Sequence, residues 1–254
     1  MRSNPVIETG VGTTLSLVCN QVVAGAGFAV LRGAVGIGKS FALEQITRAL
    51  TEQGVMVVLV TASEATSGNT NSFLRSILGQ YHTETGSSSD AEEAVWTLLS
   101  GRPFLPGGQR VLLMVDEAQK IVGRVLETIR GLWGRGDAAR LSNSSAPAFG
   151  CVLVGNPTFT GKSGAQRTAS FEPLMSRLSH NMRLPGPNRA ECQSFATTIF
   201  ADEERFAALA EGGQALGHLR GMATAARSAT LLAGDRPVTI AHLRTAFRMM
   251  GGKA

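Results

Sequence analysis

The chain has 254 residues, of which 43% are apolar and 17% are charged, and this composition excludes an intrinsically disordered protein. No apolar run approaches ~18 residues, and the first residues lack a basic and apolar signal segment. We therefore expect a cytoplasmic protein with no membrane partner. The net charge is +5, and residues 120–189 hold 10 basic and 3 acidic side chains. Such a zone indicates a site for a polyanion such as nucleic acid, or alternatively a solvated arginine-rich face.

The apolar pattern predicts strands that alternate with helices through the first 185 residues. Strands are predicted at residues 28–32, 55–60, 110–115, 151–154 and 181–184, and helices near 13–24, 39–53, 71–81, 90–99 and 121–133. Polar residues 61–70 predict a loop, and residues 134–150, rich in Gly, Ala, Ser and Asn, predict a long exposed loop. Because the strands lack period-2 alternation, we expect an α/β fold with a parallel five-stranded sheet sandwiched by helices.

The pattern changes after Pro185-Gly-Pro187, since residues 189–250 show only helical periodicity. We expect a nucleotide-binding α/β domain over residues 1–185 and a small all-helical lid over residues 186–254. The three cysteines, Cys19, Cys151 and Cys192, are far apart and odd in number. A disulfide framework or a zinc site is therefore not expected, and a reducing compartment fits.

The strongest motif is a phosphate-binding loop, or Walker A motif, between the first strand and the next helix. The segment Gly33-Ala-Val-Gly-Ile-Gly-Lys-Ser40 matches G-x-x-x-x-G-K-[ST]. Its glycines let several N–H groups point at one phosphate, Lys39 can reach the β- and γ-phosphates, and Ser40 can bind Mg²⁺. The expected ATP-binding residues are Gly33, Ala34, Val35, Gly36, Ile37, Gly38, Lys39, Ser40 and Phe41.

A second motif, Arg110-Val-Leu-Leu-Met-Val-Asp116-Glu117-Ala-Gln119, is an apolar strand that ends in two carboxylates, the Walker B arrangement. Asp116 is expected to hold Mg²⁺ through the water shell of the ion, and Glu117 to polarise the water that attacks the γ-phosphate. Alone, an Asp-Glu pair at a strand end is more often a turn or a helix cap. The upstream Lys39 favours the functional interpretation.

Three further polar residues are candidates for the same chemistry. Asn156 ends the fourth strand. In ATPases that have an extra strand between the phosphate-loop strand and the Walker B strand, such an amide orients water at the γ-phosphate. The alternative is that Asn156 with Pro157 only begins a turn. Arg177 ends a short helix and is a candidate arginine finger for a neighbouring subunit, with Arg183 as the weaker candidate. Arg220 opens a lid helix and could lean over the phosphates, although an ordinary surface arginine is nearly as good an explanation.

In this order, these motifs resemble those of the AAA+ ATPases. The Asp116-Glu117-Ala-Gln119 box, the Gly155-Asn156-Pro157 segment and the short lid resemble the DNA-transposition regulators of the phage Mu B type and their transposon relatives. The resemblance covers about residues 9–250. The chain begins almost directly with the ATPase part, so we expect any DNA contact to rest on the ATPase surface.

The resemblance implies an ATPase that uses ATP and Mg²⁺, assembles as a ring or filament on duplex DNA without sequence preference, and recruits a transposase. Hydrolysis would dismantle the assembly. Candidate DNA contacts are Arg75, Arg102, Arg135 and Arg140. The alternatives are an assembly or secretion-accessory ATPase that acts on protein, and a nucleotide-dependent scaffold with little turnover, against which the intact Glu117 and Arg177 argue.

Overall fold

Five parallel strands and ten α-helices make up the computed structural model of the chain over the residues that it describes, which are 9–79, 87–100, 110–142, 149–160, 174–216 and 218–251. The strands are β1 (Phe28–Arg32), β2 (Met56–Thr61), β3 (Val111–Asp116), β4 (Gly150–Gly155) and β5 (His180–Arg183). The helices are α1 (Gly10–Gly25), α2 (Lys39–Glu52), α3 (Glu64–Ser67), α4 (Thr70–Leu78), α5 (Ser88–Leu99), α6 (Gly123–Ser142), α7 (Arg189–Ile199), α8 (Glu203–Leu216), α9 (Leu219–Ala233) and α10 (Ile240–Met249).

The strands lie in the order β2-β3-β4-β1-β5, so β4 separates the strand of the phosphate loop from the Walker B strand. Leu31 pairs with Val154, and Val115 pairs with Leu153. Because parallel strands end on the same side, the segments that follow β1, β3 and β4 meet at one edge of the sheet. We call this the carboxyl edge, and the side where the strands begin the amino edge.

The three central strands, β1, β3 and β4, are buried on both faces, which explains their continuous apolar runs, whereas β5 is mostly exposed. On one face, Val111, Leu113 and Val115 of β3 pack into a core that also contains side chains of α4, α5 and α6. On the opposite face, Met114 Sδ lies 3.8 Å from Cys19 Sγ of α1. The predicted α/β fold class is therefore confirmed.

The chain divides into two compact units. Among the described residues, those within Leu15–Gly33 and Ser40–Arg183 form the sheet unit, and those before Leu15, within Ala34–Lys39 and from Leu184 onward form the helical unit. The helical unit has its own apolar core, formed by α7 to α10. The predicted division into residues 1–185 and 186–254 stays a prediction.

The exposed loop predicted over residues 134–150 is wrong in its first half, because α6 continues to Ser142. Residues 143–148 lie outside the described part, and β4 begins at Gly150. Glycine lowers helix propensity, but tertiary contacts hold this part of α6. Trp133 is buried and its Nε1 donates to Ala26 O at 3.0 Å, and Arg135 forms an ion pair with Glu93.

Smaller differences concern the ends of elements and one short helix. The predicted polar loop at residues 61–70 contains α3, whose first turn is capped by Ser63: its side chain accepts from the backbone N–H of Thr66.

Among the helices of the described residues, none is long and apolar enough to cross a membrane.

A glycine contact between α1 and β4 yields a stability prediction. A Cβ atom at Gly150 would lie 2.7 Å from Val22 Cγ1 and 2.9 Å from Val22 O, so Gly150→Ala must displace backbone. We expect it to lower the free energy of unfolding by about 1–3 kcal/mol in denaturant titrations. The control is Gly131→Ala on α6, where nothing lies within 4 Å and the free energy should rise by about 0.5–1 kcal/mol. Equal effects of the two substitutions would contradict the packing described here.

Candidate functional site

The loop between β1 and α2 has the backbone conformation that its glycines permit. Gly36 and Gly38 have φ of +81° and +100°, in the region that disfavours side chains. The N–H of Gly33 donates to Gly155 O at 3.0 Å, which ties the start of the loop to the end of β4. The loop therefore starts from the carboxyl edge of the sheet.

Lys39 is the first residue of α2, and its side chain turns back into the loop that precedes it. Only 7% of the residue is exposed, and Nζ donates to Ala34 O at 2.8 Å. An ammonium group and the N-terminus of a helix are thus placed at the same loop, and both favour an anion. Val35 and Phe41, also predicted to bind ATP, are exposed large apolar side chains.

Within the helical unit, the start of α9 lies against this loop. The N–H of Arg220 donates to Gly36 O at 3.1 Å, and a Cβ atom at Gly36 would lie 3.1 Å from Arg220 Cβ and 3.2 Å from His218 Cβ. His218 caps α9, since its Nδ1 accepts from the N–H of Gly221 at 2.9 Å. The structure therefore places Arg220, with an exposed side chain, beside the phosphate loop.

In the sheet unit, Ser40 and Asp116 come together although they are 76 positions apart. Ser40 Oγ donates to Asp116 Oδ2 at 2.5 Å, and Asp116 Oδ1 accepts from the N–H of Glu117 at 2.8 Å. Asp116 is 4% exposed at the end of β3. A hydroxyl and a carboxylate oxygen side by side are the hard oxygen ligands that Mg²⁺ takes, so these two residues fit the ion.

Glu117 follows Asp116 in a left-handed backbone conformation, with φ of +54°. Its side chain is 35% exposed, and both of its contacts involve the same oxygen. Oε2 accepts from Gln119 Nε2 at 2.5 Å and lies 3.9 Å from Lys120 Nζ. Among the described residues, Oε1 accepts no hydrogen bond, so one carboxylate oxygen is held and the other is open to a proton donor.

Asn156 lies at the carboxyl edge directly after β4. Its Oδ1 accepts from both the N–H and Oγ1 of Thr158, at 3.0 and 2.6 Å, which fixes the amide so that Nδ2 is the side-chain donor. Its backbone N–H donates to Gln119 Oε1 at 3.0 Å. Gln119 therefore connects Glu117 with Asn156. In the sequence, Gln119 stands out only as part of the Walker B motif, and no role was predicted for it.

Arg177 lies at the other side of the sheet unit. It is exposed in a turn three residues before β5, and Ser179 in the same segment donates its N–H to Phe28 O at 2.8 Å, which marks the amino edge. A Cβ atom at Gly134 of α6 would lie 3.8 Å from Arg177 Nη1. Arg183, the weaker candidate, is the last residue of β5, and its backbone lies opposite Arg32 of β1 in the parallel register.

The four candidate DNA contacts are only partly described. Arg102 lies outside the described residues, and Arg140 lies on α6 with its side chain outside them. Arg75 is on α4, with Nε donating to Asn71 Oδ1 at 3.3 Å. Arg135 is on α6 rather than in the predicted loop.

The guanidinium of Arg135 already has a carboxylate partner. It contacts Glu93 through two bonds, at 2.8 and 3.1 Å, and lies 4.5 Å from the centre of the Trp96 ring. The Glu93 carboxylate raises the pKa of Arg135 above its ordinary value. The positive charge of Arg135 is therefore largely balanced within the chain.

The cysteines offer no reactive thiolate. Burial raises the pKa of the Cys19 thiol to about 12 and also raises the pKa of Cys151 and Cys192. All three are buried without a disulfide. Within the described ranges, no cluster of three or more His, Cys, Asp or Glu could hold a metal ion.

Known structures share this fold. The ORC2 protein of Aeropyrum pernix, solved as ADPNP–ADP complexes, matches with a TM-score of 0.65 and 17% identity over 94% of this chain and 67% of that one. Cdc6p from Pyrobaculum aerophilum matches with a TM-score of 0.65 and 14% identity over 92% of this chain and 63% of that one. Drosophila ORC bound to DNA matches with a TM-score of 0.65 and 16% identity over 96% of this chain and 60% of that one. The chain thus spans about two thirds of these proteins or less.

Sequence comparison supplies the family. None of the curated proteins matches the chain. The model of the AAA domain family matches residues 23–163, more than half of the chain, and these residues include the phosphate loop, Asp116, Glu117 and Asn156. The protein belongs to the AAA domain family and is an AAA+ ATPase.

Proposed function

We propose that this ATPase is an ATP-dependent, DNA-binding regulator of transposition. It binds Mg²⁺ with ATP, assembles as a ring or filament on duplex DNA, recruits a transposase, and leaves the DNA as ATP is hydrolysed. The observation that carries the ATPase part is the hydrogen bond of Ser40, the last residue of the phosphate loop, to Asp116, which in turn accepts from the N–H of Glu117. The DNA part rests on the basic stretch at residues 120–189 and on the resemblance of the motifs.

The nucleotide would bind with its phosphates on the loop Gly33–Ser40 and its γ-phosphate near Lys39. The buried ammonium and the backbone N–H groups of the loop neutralise the phosphate charge. Ser40 and Asp116 would hold Mg²⁺, which when bound supplies positive charge to the β- and γ-phosphate oxygens. Arg220 would contribute a further cation, since its backbone already bonds to the loop at Gly36.

Hydrolysis needs a base for the attacking water and a donor for the γ-phosphate. Glu117 Oε1 is the open carboxylate oxygen and would accept the water proton, while Oε2 is held by Gln119. Asn156 Nδ2 is the fixed amide donor and would bond to a γ-phosphate oxygen. The two groups follow β3 and β4, which are neighbours in the sheet, so they can act on one phosphate.

The position of Arg177 supports the proposed assembly. The phosphate loop, Asp116 and Asn156 lie at or after the carboxyl ends of their strands, whereas Arg177 precedes β5 at the amino edge. Arg177 is therefore suited to the site of a neighbouring copy and not to its own. A ring or a filament in which the amino edge of one copy meets the carboxyl edge of the next would bring Arg177 to the neighbouring site, which supports the proposed homo-oligomer.

Duplex DNA is the partner that the charge distribution favours. The proposed contacts are Arg75, Arg102, Arg135 and Arg140, all through phosphates and without base readout. One of the structural neighbours, Drosophila ORC, was solved bound to DNA, which supports DNA as a partner for this fold. We place the activity in the cytoplasm, where buried cysteines such as Cys19 stay reduced.

The ATPase roles are tested by Lys39→Ala and Glu117→Gln. Lys39→Ala should lose ATP binding and assembly, because the buried ammonium of the loop is gone. Glu117→Gln should bind ATP normally but stop turnover, and should therefore stay on DNA. Binding is measured with a fluorescent ATP analogue and turnover by phosphate release. Normal ATP affinity of Lys39→Ala, or parental turnover of Glu117→Gln, would contradict the assignment.

The DNA contacts are tested by the salt dependence of binding to duplex DNA in ATP. Each phosphate contact contributes about 0.9 to the slope of log affinity against log salt concentration. Alanine at Arg75, Arg102 or Arg140 should each lower the slope by about this amount. Arg135→Ala should lower it less, because Glu93 already balances that charge.

The matched control is Arg48→Ala, an exposed arginine on α2 that is not among the proposed contacts, which should leave the slope unchanged. Unchanged slopes for all the variants would place the DNA surface elsewhere. No ATP-dependent binding of duplex DNA at low salt would overturn the DNA proposal and favour an ATPase that acts on protein.

A further inference from the structure

One side chain joins the two groups that are proposed to act on the γ-phosphate. Gln119 lies in the short 3₁₀ turn Ala118–Lys120, after Glu117. Its Nε2 donates to Glu117 Oε2 at 2.5 Å, and its Oε1 accepts from the N–H of Asn156 at 3.0 Å. The two ends of one amide thus connect the end of β3 with the end of β4.

The end of β4 leaves room for this bridge because it is a glycine. A Cβ atom at Gly155 would lie 3.0 Å from Gln119 Oε1 and 3.1 Å from Phe159 Cβ. The absence of a side chain at Gly155 therefore allows the amide to reach the backbone N–H of Asn156. Gln119 is partly buried, so water competes less for these bonds than at an exposed position.

The orientation of the bridging amide is set by its partners. The NH₂ end faces a carboxylate, and the carbonyl end faces a backbone donor, so each end meets the partner that it can bond. The bond to the carboxylate is charge-assisted and holds Oε2, while Oε1 stays open. The exposed contact of Oε2 with Lys120, at 3.9 Å, contributes little by comparison.

We propose that Gln119 is a positioning residue for hydrolysis. It holds the Glu117 carboxylate by Oε2 and couples the orientation of that carboxylate to the position of Asn156. Contact of the γ-phosphate with Asn156 would then orient the carboxylate that accepts the proton of the attacking water. This inference rests on the proposed roles of Glu117 and Asn156. It adds a residue that acts through both of them.

The test compares Gln119→Met, which has a similar size but no polar ends, and Gln119→Glu, which keeps the acceptor for Asn156 but places a carboxylate against Glu117. ATP affinity should be unchanged for both. The kcat for ATP hydrolysis should fall by about 10²-fold, as expected when a reacting group is misplaced by about 1 Å. The control is Gln53→Met, the same change at an exposed position after α2, which should leave kcat unchanged.

A double-mutant cycle separates positioning from a structural role. In a Glu117→Gln background, Gln119→Met should cause no further loss of the residual single-turnover rate, because the group that Gln119 positions is already gone. A loss of the same factor in both backgrounds would show that Gln119 only supports the fold, and would overturn the proposal. This comparison also holds if Gln119→Met lowers stability.

The outcomes distinguish a failure of the proposed function from a failure of the positioning role of Gln119. If Glu117→Gln hydrolyses ATP at the parental rate, the role of Glu117 is wrong and the proposed function fails at that point. If Glu117→Gln is slow but Gln119→Met and Gln119→Glu keep the parental kcat, only the positioning role of Gln119 is overturned.

Discussion

The parallel register of β1, β4 and β3 is the constraint on which the site depends. Because Leu31 pairs with Val154 and Val115 pairs with Leu153, the three strands end together. The strands themselves are buried on both faces, so polar groups can collect only where the strands end. The same register brings Asp116 to within 2.5 Å of Ser40 and the end of β4 within reach of Gln119.

The register also separates the chemistry into two edges. The proposed nucleotide-binding groups lie at the carboxyl edge, whereas Arg177 precedes β5 at the amino edge. A strand of five residues spans about 17 Å, which no arginine side chain bridges. One copy of the chain thus offers a site and an arginine that cannot meet each other, and this geometry is the physical reason to expect assembly.

A strained residue lies at the centre of the site. Glu117 adopts φ of +54°, which costs a residue with a side chain of order 1 kcal/mol or more. Such a conformation persists because its surroundings hold it: Asp116 accepts the Glu117 N–H, and Gln119 donates to the Glu117 carboxylate. This left-handed conformation ends the extended backbone of β3 at Asp116.

Those parts of the fold whose signals are local could be predicted from the sequence. The runs at β1, β3 and β4 are apolar, and the phosphate loop and Asn156 follow their strands directly. The extension of α6 could not be predicted in this way, because its glycines argue locally against a helix and Arg135 contacts Glu93, 42 positions away. The bridge by Gln119 was missed for the same reason, since Asn156 is 37 positions away and β4 becomes the neighbour of β3 only in the folded sheet.

Mixing of two inactive variants tests most directly whether the site is completed across copies. Arg177→Ala keeps the phosphate loop but lacks the arginine, and Lys39→Ala keeps the arginine but lacks a working loop. Each alone should lose ATP turnover, Arg177→Ala by about 10³–10⁵-fold, as arginines that act in trans contribute. Their mixture should recover part of the turnover, whereas Lys39→Ala with Glu117→Gln should stay inactive. No recovery in mixed assemblies that demonstrably form would contradict the account.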